Sequence, residues 1–212
     1  MNEFAHRRSL FLLLTLFSVP SVICRAQVQT TGPGPGHSFH GEAFNEGPRQ
    51  GSFLMPGMSS VHLPVSTKSK LAQKYFDQGV SQLHGFWYFE AERTFRQVNK
   101  LDPNCAMAFW GMAMANTNNE SRAKAFIAEA VKKLSTVTDR ERLYIEALAA
   151  FYDLDGKTPD AKKRHANRIS KFIELCRKYP DDIEAKAFTA VEIWENQGLA
   201  RMWNTGGMEY LL

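Results

Sequence analysis

The chain has 212 residues, 44% of them hydrophobic and 23% charged, with a formal net charge of +4. That apolar content excludes disorder over the whole chain and suffices for one core or a short array of repeats. The small charge excess, with no dense Lys/Arg stripe interleaved with aromatics, argues against nucleic acid as a partner.

Arg7 and Arg8 precede an apolar run from Ser9 to Ile23, and Cys24-Arg25-Ala26 closes it with a small residue. This pattern predicts a secretory signal peptide over residues 1–26. The run is shorter than a spanning helix needs and no later segment is as apolar, so no membrane span is expected after cleavage. A secreted or periplasmic protein follows as the expectation. Cleavage removes three arginines and one glutamate, which leaves a net charge of +2. Residues 27–65 are rich in Gly, Pro, Ser and Asn and carry no sustained period of 2 or 3.6, which predicts a flexible leader. His37 and His40 lie three apart within it, but the surrounding glycines and prolines deny the helix that would make that spacing a metal pair.

From Ser66 the pattern is helical. Ser66 or Thr67 can cap a first helix carrying Leu71, Tyr75, Phe76, Val80 and Leu83, which Gly85 breaks. A second helix places Ala91, Phe95 and Val98 on one face and ends at Asp102-Pro103. The third, from about Cys105 to Ala115, is small and apolar on nearly every side and should be deeply packed. After a polar turn at Asn116–Asn119, Ala123, Phe126, Ile127, Ala130 and Val131 form one helical stripe. Thr138 with Glu141 is a capping-box signature for a fifth helix. Thr158-Pro159 opens a sixth, stopped by Pro180, and Asp181 with Glu184 repeats the capping pattern before a seventh. No stretch alternates as a strand does, so the fold class is all-α, with about seven helices joined by short turns.

Chemistry-bearing patterns are few. The nucleophile, phosphate-loop, zinc and dinucleotide signatures are absent, and no cofactor or metal is expected. His165 and Cys176 share a helical face, but eleven residues of helix span about 16 Å, too far for proton transfer. Glu90 and Glu92 point to different faces, and Glu92 with Arg96 reads as a surface ion pair. Cys105 and Cys176 read as small buried side chains, with a disulfide between them as the alternative. The densest feature is "HGFWYFEAER", residues 84–93, whose aromatics exceed what one turn needs.

Gly79, Ala91, Phe95, Val98 and Pro103 are matched by Gly111, Ala123, Ile127, Ala130 and Ser135, each 32 residues later. A repeated helical hairpin is the economical reading. The first unit, with Gly79, Ala91, Phe95 and the run "KLDPN" at Lys100–Asn104, resembles the tetratricopeptide repeat. Tyr75, Gln78 and Gln82 stand where that repeat most often has Trp, Leu and Tyr. Residues 61–152 also resemble the opening of a group of exported bacterial proteins with this repeat. The resemblance implies an α-solenoid of antiparallel hairpins in about three units: two over residues 66–136 and a degenerate third over 137–196. An apolar tail follows over 197–212.

In such repeats the first helix of each hairpin lines a concave face, and binding residues usually come from it. The resemblance therefore implies Gln73, Phe76, Val80, Leu83 and His84 in the first unit, with Met112 and Asn116 in the second, as candidates for holding a protein or peptide. A non-catalytic binding protein is the leading expectation. Two others stand beside it: a fragment of a larger enzyme or redox protein, and a structural module that forms homo-oligomers through its apolar tail.

Overall fold

The computed structural model describes residues 51–58 and 60–204, with side chains as far as residue 195. The expected signal peptide, the leader up to residue 50 and the end of the tail lie outside the described residues. Among the described residues there are seven α-helices and no strand: α1 (Lys70–His84), α2 (Tyr88–Leu101), α3 (Ala106–Met114), α4 (Glu120–Val131), α5 (Asp139–Phe151), α6 (Ala161–Lys178) and α7 (Ile183–Asn204). None of them is long and apolar enough to cross a membrane.

Most helix starts follow local side-chain chemistry, with three register corrections. The Thr138 hydroxyl accepts the Glu141 N–H while the Glu141 carboxylate accepts the Thr138 N–H, a complete capping box for α5. Thr138→Ala is expected to lower stability by about 1 kcal/mol in urea denaturation. The α1 cap is Ser69, which accepts from the Ala72 N–H. Ser66 and Thr67 are engaged elsewhere, on Glu141 and Asp102. Helix α6 begins after Pro159, because Asp160 accepts the Lys162 and Lys163 N–H groups and so becomes the cap. At α7 the acceptor is Asp182, which takes the Ala185 N–H and the Tyr144 hydroxyl.

The helices pack as sequential pairs, α1 on α2, α3 on α4 and α5 on α6, with α2 on α3, α4 on α5 and α6 on α7 joining the pairs. The Phe95 ring is seated between α1 and α3. A β-carbon at Gly79 would stand 2.7 Å from that ring, and one at Gly111 nearer still. The two repeated glycines are therefore the clearance for one phenylalanine. Phe76 meets Phe95 edge-on at 5.4 Å and reaches Trp110 at 6.5 Å, and Trp110 continues to Tyr144 at 5.4 Å, so one aromatic chain threads α2, α1, α3 and α5.

The end of the expected flexible leader, over the described residues 51–58 and 60–65, lies as a strap along α1. Gln78 accepts the Met55 N–H and donates to the Phe53 carbonyl, Tyr75 donates to the Ser52 carbonyl, and the Gln82 amide meets the Met55 sulfur. Farther on, Gln73 accepts the Val65 N–H and donates to the Leu63 carbonyl, and Leu63 itself is only 1% exposed. An extended segment has unpaired peptide groups, and polar side chains on α1 supply their partners. These contacts give Tyr75, Gln78 and Gln82 a role on the strap.

Candidate functional site

Helix α7 lies against α6 through the buried Ala185 and Thr189, whose hydroxyl meets the Cys176 sulfur at 3.3 Å. Its next row of side chains, Glu184, Phe188 and Glu192, reaches several helices. Glu184 pairs with His84 at the end of α1. Phe188 stacks on the His84 ring at 4.7 Å and meets Trp110 of α3 at 5.5 Å and Tyr144 of α5 at 6.5 Å. Glu192 pairs with Arg168 of α6. A single row at spacings of four thus touches α1, α3, α5 and α6.

Beside that row α7 leaves a cleft of about 60 Å³. This volume holds part of one side chain or a few waters. Leu83, Met114, Phe188 and Val191 give it apolar walls, Phe86 and Tyr88 stand on its aromatic side, and Glu192, Glu195, Arg168 and Thr117 supply the polar atoms. Burial pushes the Glu192 carboxyl up to about 7, outweighing the downward pull of Arg168. Burial also raises the Tyr88 hydroxyl, helped by the Glu195 charge and opposed by a hydrogen bond with Thr117 and by Arg168.

A charged carboxylate costs more in this cleft than in water, so proton uptake favours the folded state. Wild-type stability is expected to fall as pH rises from about 4.5, the ordinary carboxyl value, to about 7, and then to level off with respect to this group. Denaturation at pH 5 and pH 8 of wild type and Glu192→Gln checks it: the variant should gain relative to wild type at the higher pH.

Phe86 enters the rim by an unusual backbone. Its N–H bonds to the Leu83 carbonyl at 3.0 Å and the Trp87 N–H to the Gln82 carbonyl at 2.8 Å, the paired bonds of a Schellman helix end. The left-handed position in that motif normally goes to glycine, yet here Phe86 takes it at φ 57° while Gly85 holds a right-handed conformation one residue earlier. The aromatic ring is thereby placed at the cleft and stays 56% exposed, as does neighbouring Trp87.

The seven residues implied by the repeat resemblance divide into four groups. Leu83 and His84 line the cleft. Phe76, Val80 and Met112 are core side chains, and Gln73 holds the strap. Asn116 is buried in a polar cluster, donating to Glu92 at 3.0 Å and to the Met112 carbonyl at 2.7 Å and accepting from Arg122 at 2.9 Å. That cluster also corrects the expected surface pair. Glu92 and Arg122 are each 1% exposed and pair at 2.7 Å, because α2 turns this face toward α3 and α4. The residues that sequence patterns did not single out are Phe188, Arg168, Glu192 and Glu195; only the four-residue spacing of Glu184, Phe188 and Glu192 hints at a shared row.

The remaining reactive groups are held apart. Cys105 and Cys176 are both buried free thiols, and burial pushes the Cys105 thiol up to about 12, far from thiolate at neutral pH. His165 packs on the Phe151 ring at 4.8 Å, while Cys176 sits against α7. Among the described residues no three His, Cys, Asp or Glu side chains gather as a metal donor set. Comparison with known proteins finds no matching family model, no matching curated protein and no matching solved structure.

Proposed function

We propose that this is an exported, non-catalytic α-solenoid of tetratricopeptide-like hairpins that binds a protein or peptide at the face built by α1 and α3. The single observation carrying the reading is the cleft at the end of α1. It is open beside the exposed Phe86 and Trp87, and a left-handed non-glycine residue stands on its rim. Helix α7 fills the middle of the face, so the partner engages the cleft that α7 leaves. The sequential pairing of α1 to α6 and the twin glycines around Phe95 support the solenoid, and Arg7-Arg8 before an apolar run supports export.

Titrating the chain from residue 27 with a panel of fluorescent peptides tests the reading by anisotropy. Saturable binding to a subset, weakened at least tenfold by Phe86→Ser, is expected. No saturable binding to any peptide by a helical, monodisperse chain would remove it.

A further inference from the structure

Resting on that binding reading, we infer that the cleft beside α7 receives one lysine-like side chain: a primary ammonium on an aliphatic stem.

The walls suit the stem. Leu83, Met114, Val191 and Phe188 are among the residues that line the cleft, and a lysine buries its methylenes along apolar surface while its charged end reaches polar atoms. The volume of about 60 Å³ takes part of one side chain and leaves no room for a folded segment.

The polar lining suits the charge. Two carboxylates, Glu192 and Glu195, line the cleft against one guanidinium, Arg168. Arg168 is already committed to Glu192 and to the Met114 sulfur, and its guanidinium carbon lies 4.7 Å from the Phe151 ring centroid. His84 is likewise committed to Glu184. Glu195 and the Tyr88 and Thr117 hydroxyls, which are hydrogen-bonded to each other, line the cleft as oxygen acceptors for an ammonium, with Phe86 offering a ring to a cation. A carboxylate ligand would meet Glu192 and Glu195 instead. An arginine would have to fit a planar fork where an ammonium needs only a point contact.

The ligand chemistry has two sources, a lysine of a polypeptide or a free alkylamine, and the proposal commits to the lysine of a polypeptide partner. The test is two-dimensional NMR titration of the full mature chain with n-pentylamine and with a short peptide made in lysine, acetyl-lysine and norleucine forms. The lysine peptide is expected to shift the Phe86, Tyr88 and Thr117 amides and to bind at least tenfold tighter than pentylamine or the two neutral peptides. Glu195→Gln, on an exposed position where folding is not at stake, should weaken it three- to tenfold. Binding should also tighten between pH 5 and pH 8 as Glu192 gains its charge, a dependence that Glu192→Gln removes.

Equal binding of the norleucine peptide would overturn the lysine assignment while leaving the peptide-binding reading intact. Pentylamine binding as tightly as the peptide would make the ligand a small amine and overturn the polypeptide reading. No shift at the cleft with any of the four probes would overturn both.

Discussion

Arg122→Ala is expected to lower the unfolding free energy by about 3–5 kcal/mol, the largest single-residue effect in the polar part of the interior. The guanidinium is fully enclosed: Nη2 donates to Glu92 at 2.7 Å and Nε to the Asn116 side-chain oxygen at 2.9 Å. Removing it leaves the Glu92 carboxylate, 1% exposed, with Arg96 and Asn116 as its remaining partners. Arg122→Lys should cost nearly as much, because an ammonium cannot make both directed contacts. The double variant Glu92→Gln/Arg122→Met should lose less than the sum of the single ones, since the buried charge is gone. Urea denaturation of wild type, Arg122→Ala, Arg122→Lys, Arg122→Met, Glu92→Gln and the double variant reads all three expectations.

The second large effect concerns Phe95. Phe95→Ala should cost about 3–5 kcal/mol through the cavity it leaves between α1 and α3. Gly111→Ala should cost about 1–3 kcal/mol from the opposite cause, a methyl driven into the ring. The two defects are complementary. Phe95→Leu combined with Gly111→Ala should therefore be less destabilising than the sum of its parts, and additivity in that cycle would contradict the shared seat.

The clearance around Phe95 explains why much of the fold was legible. Gly79, Ala91 and Phe95 repeat as positions because helices can approach closely only at small residues, and this constraint is written locally in the chain. The Thr138–Glu141 box and the Pro180 stop are local in the same sense. The strap was not legible, since its order comes from Gln78 and Gln73, whose partners lie 23 and 8 residues away and follow no periodicity. The same holds for Glu92, where the i,i+4 spacing to Arg96 was read correctly and the burial imposed by Arg122, 30 residues on, was not.

At the candidate site the balance is reversed. His84 and Leu83 follow from the register of the first helix, but their partners come from α7, a hundred residues later. Phe86 was visible as an excess aromatic, and the glycine before it pointed to a helix end. That the phenylalanine, one residue after the glycine, takes the left-handed position depends on where α1 stops, which tertiary packing sets. The aromatics of "HGFWYFEAER" accordingly serve two ends: Tyr88 and Phe86 line the cleft, and Trp87 stands exposed beside it.

Helix α7 packs through Phe188 against His84 at the end of α1, Trp110 in the middle of α3 and Tyr144 in the middle of α5. Nuclear Overhauser spectroscopy on the mature chain, with phenylalanine and tryptophan rings selectively protonated in a deuterated background, tests this directly. Cross-peaks from the Phe188 ring to the Trp110 indole, whose centroids are 5.5 Å apart, are the predicted result. A Phe188 ring with no cross-peak to Trp110, in a chain where Phe76 still shows its own contact to Trp110, would contradict it.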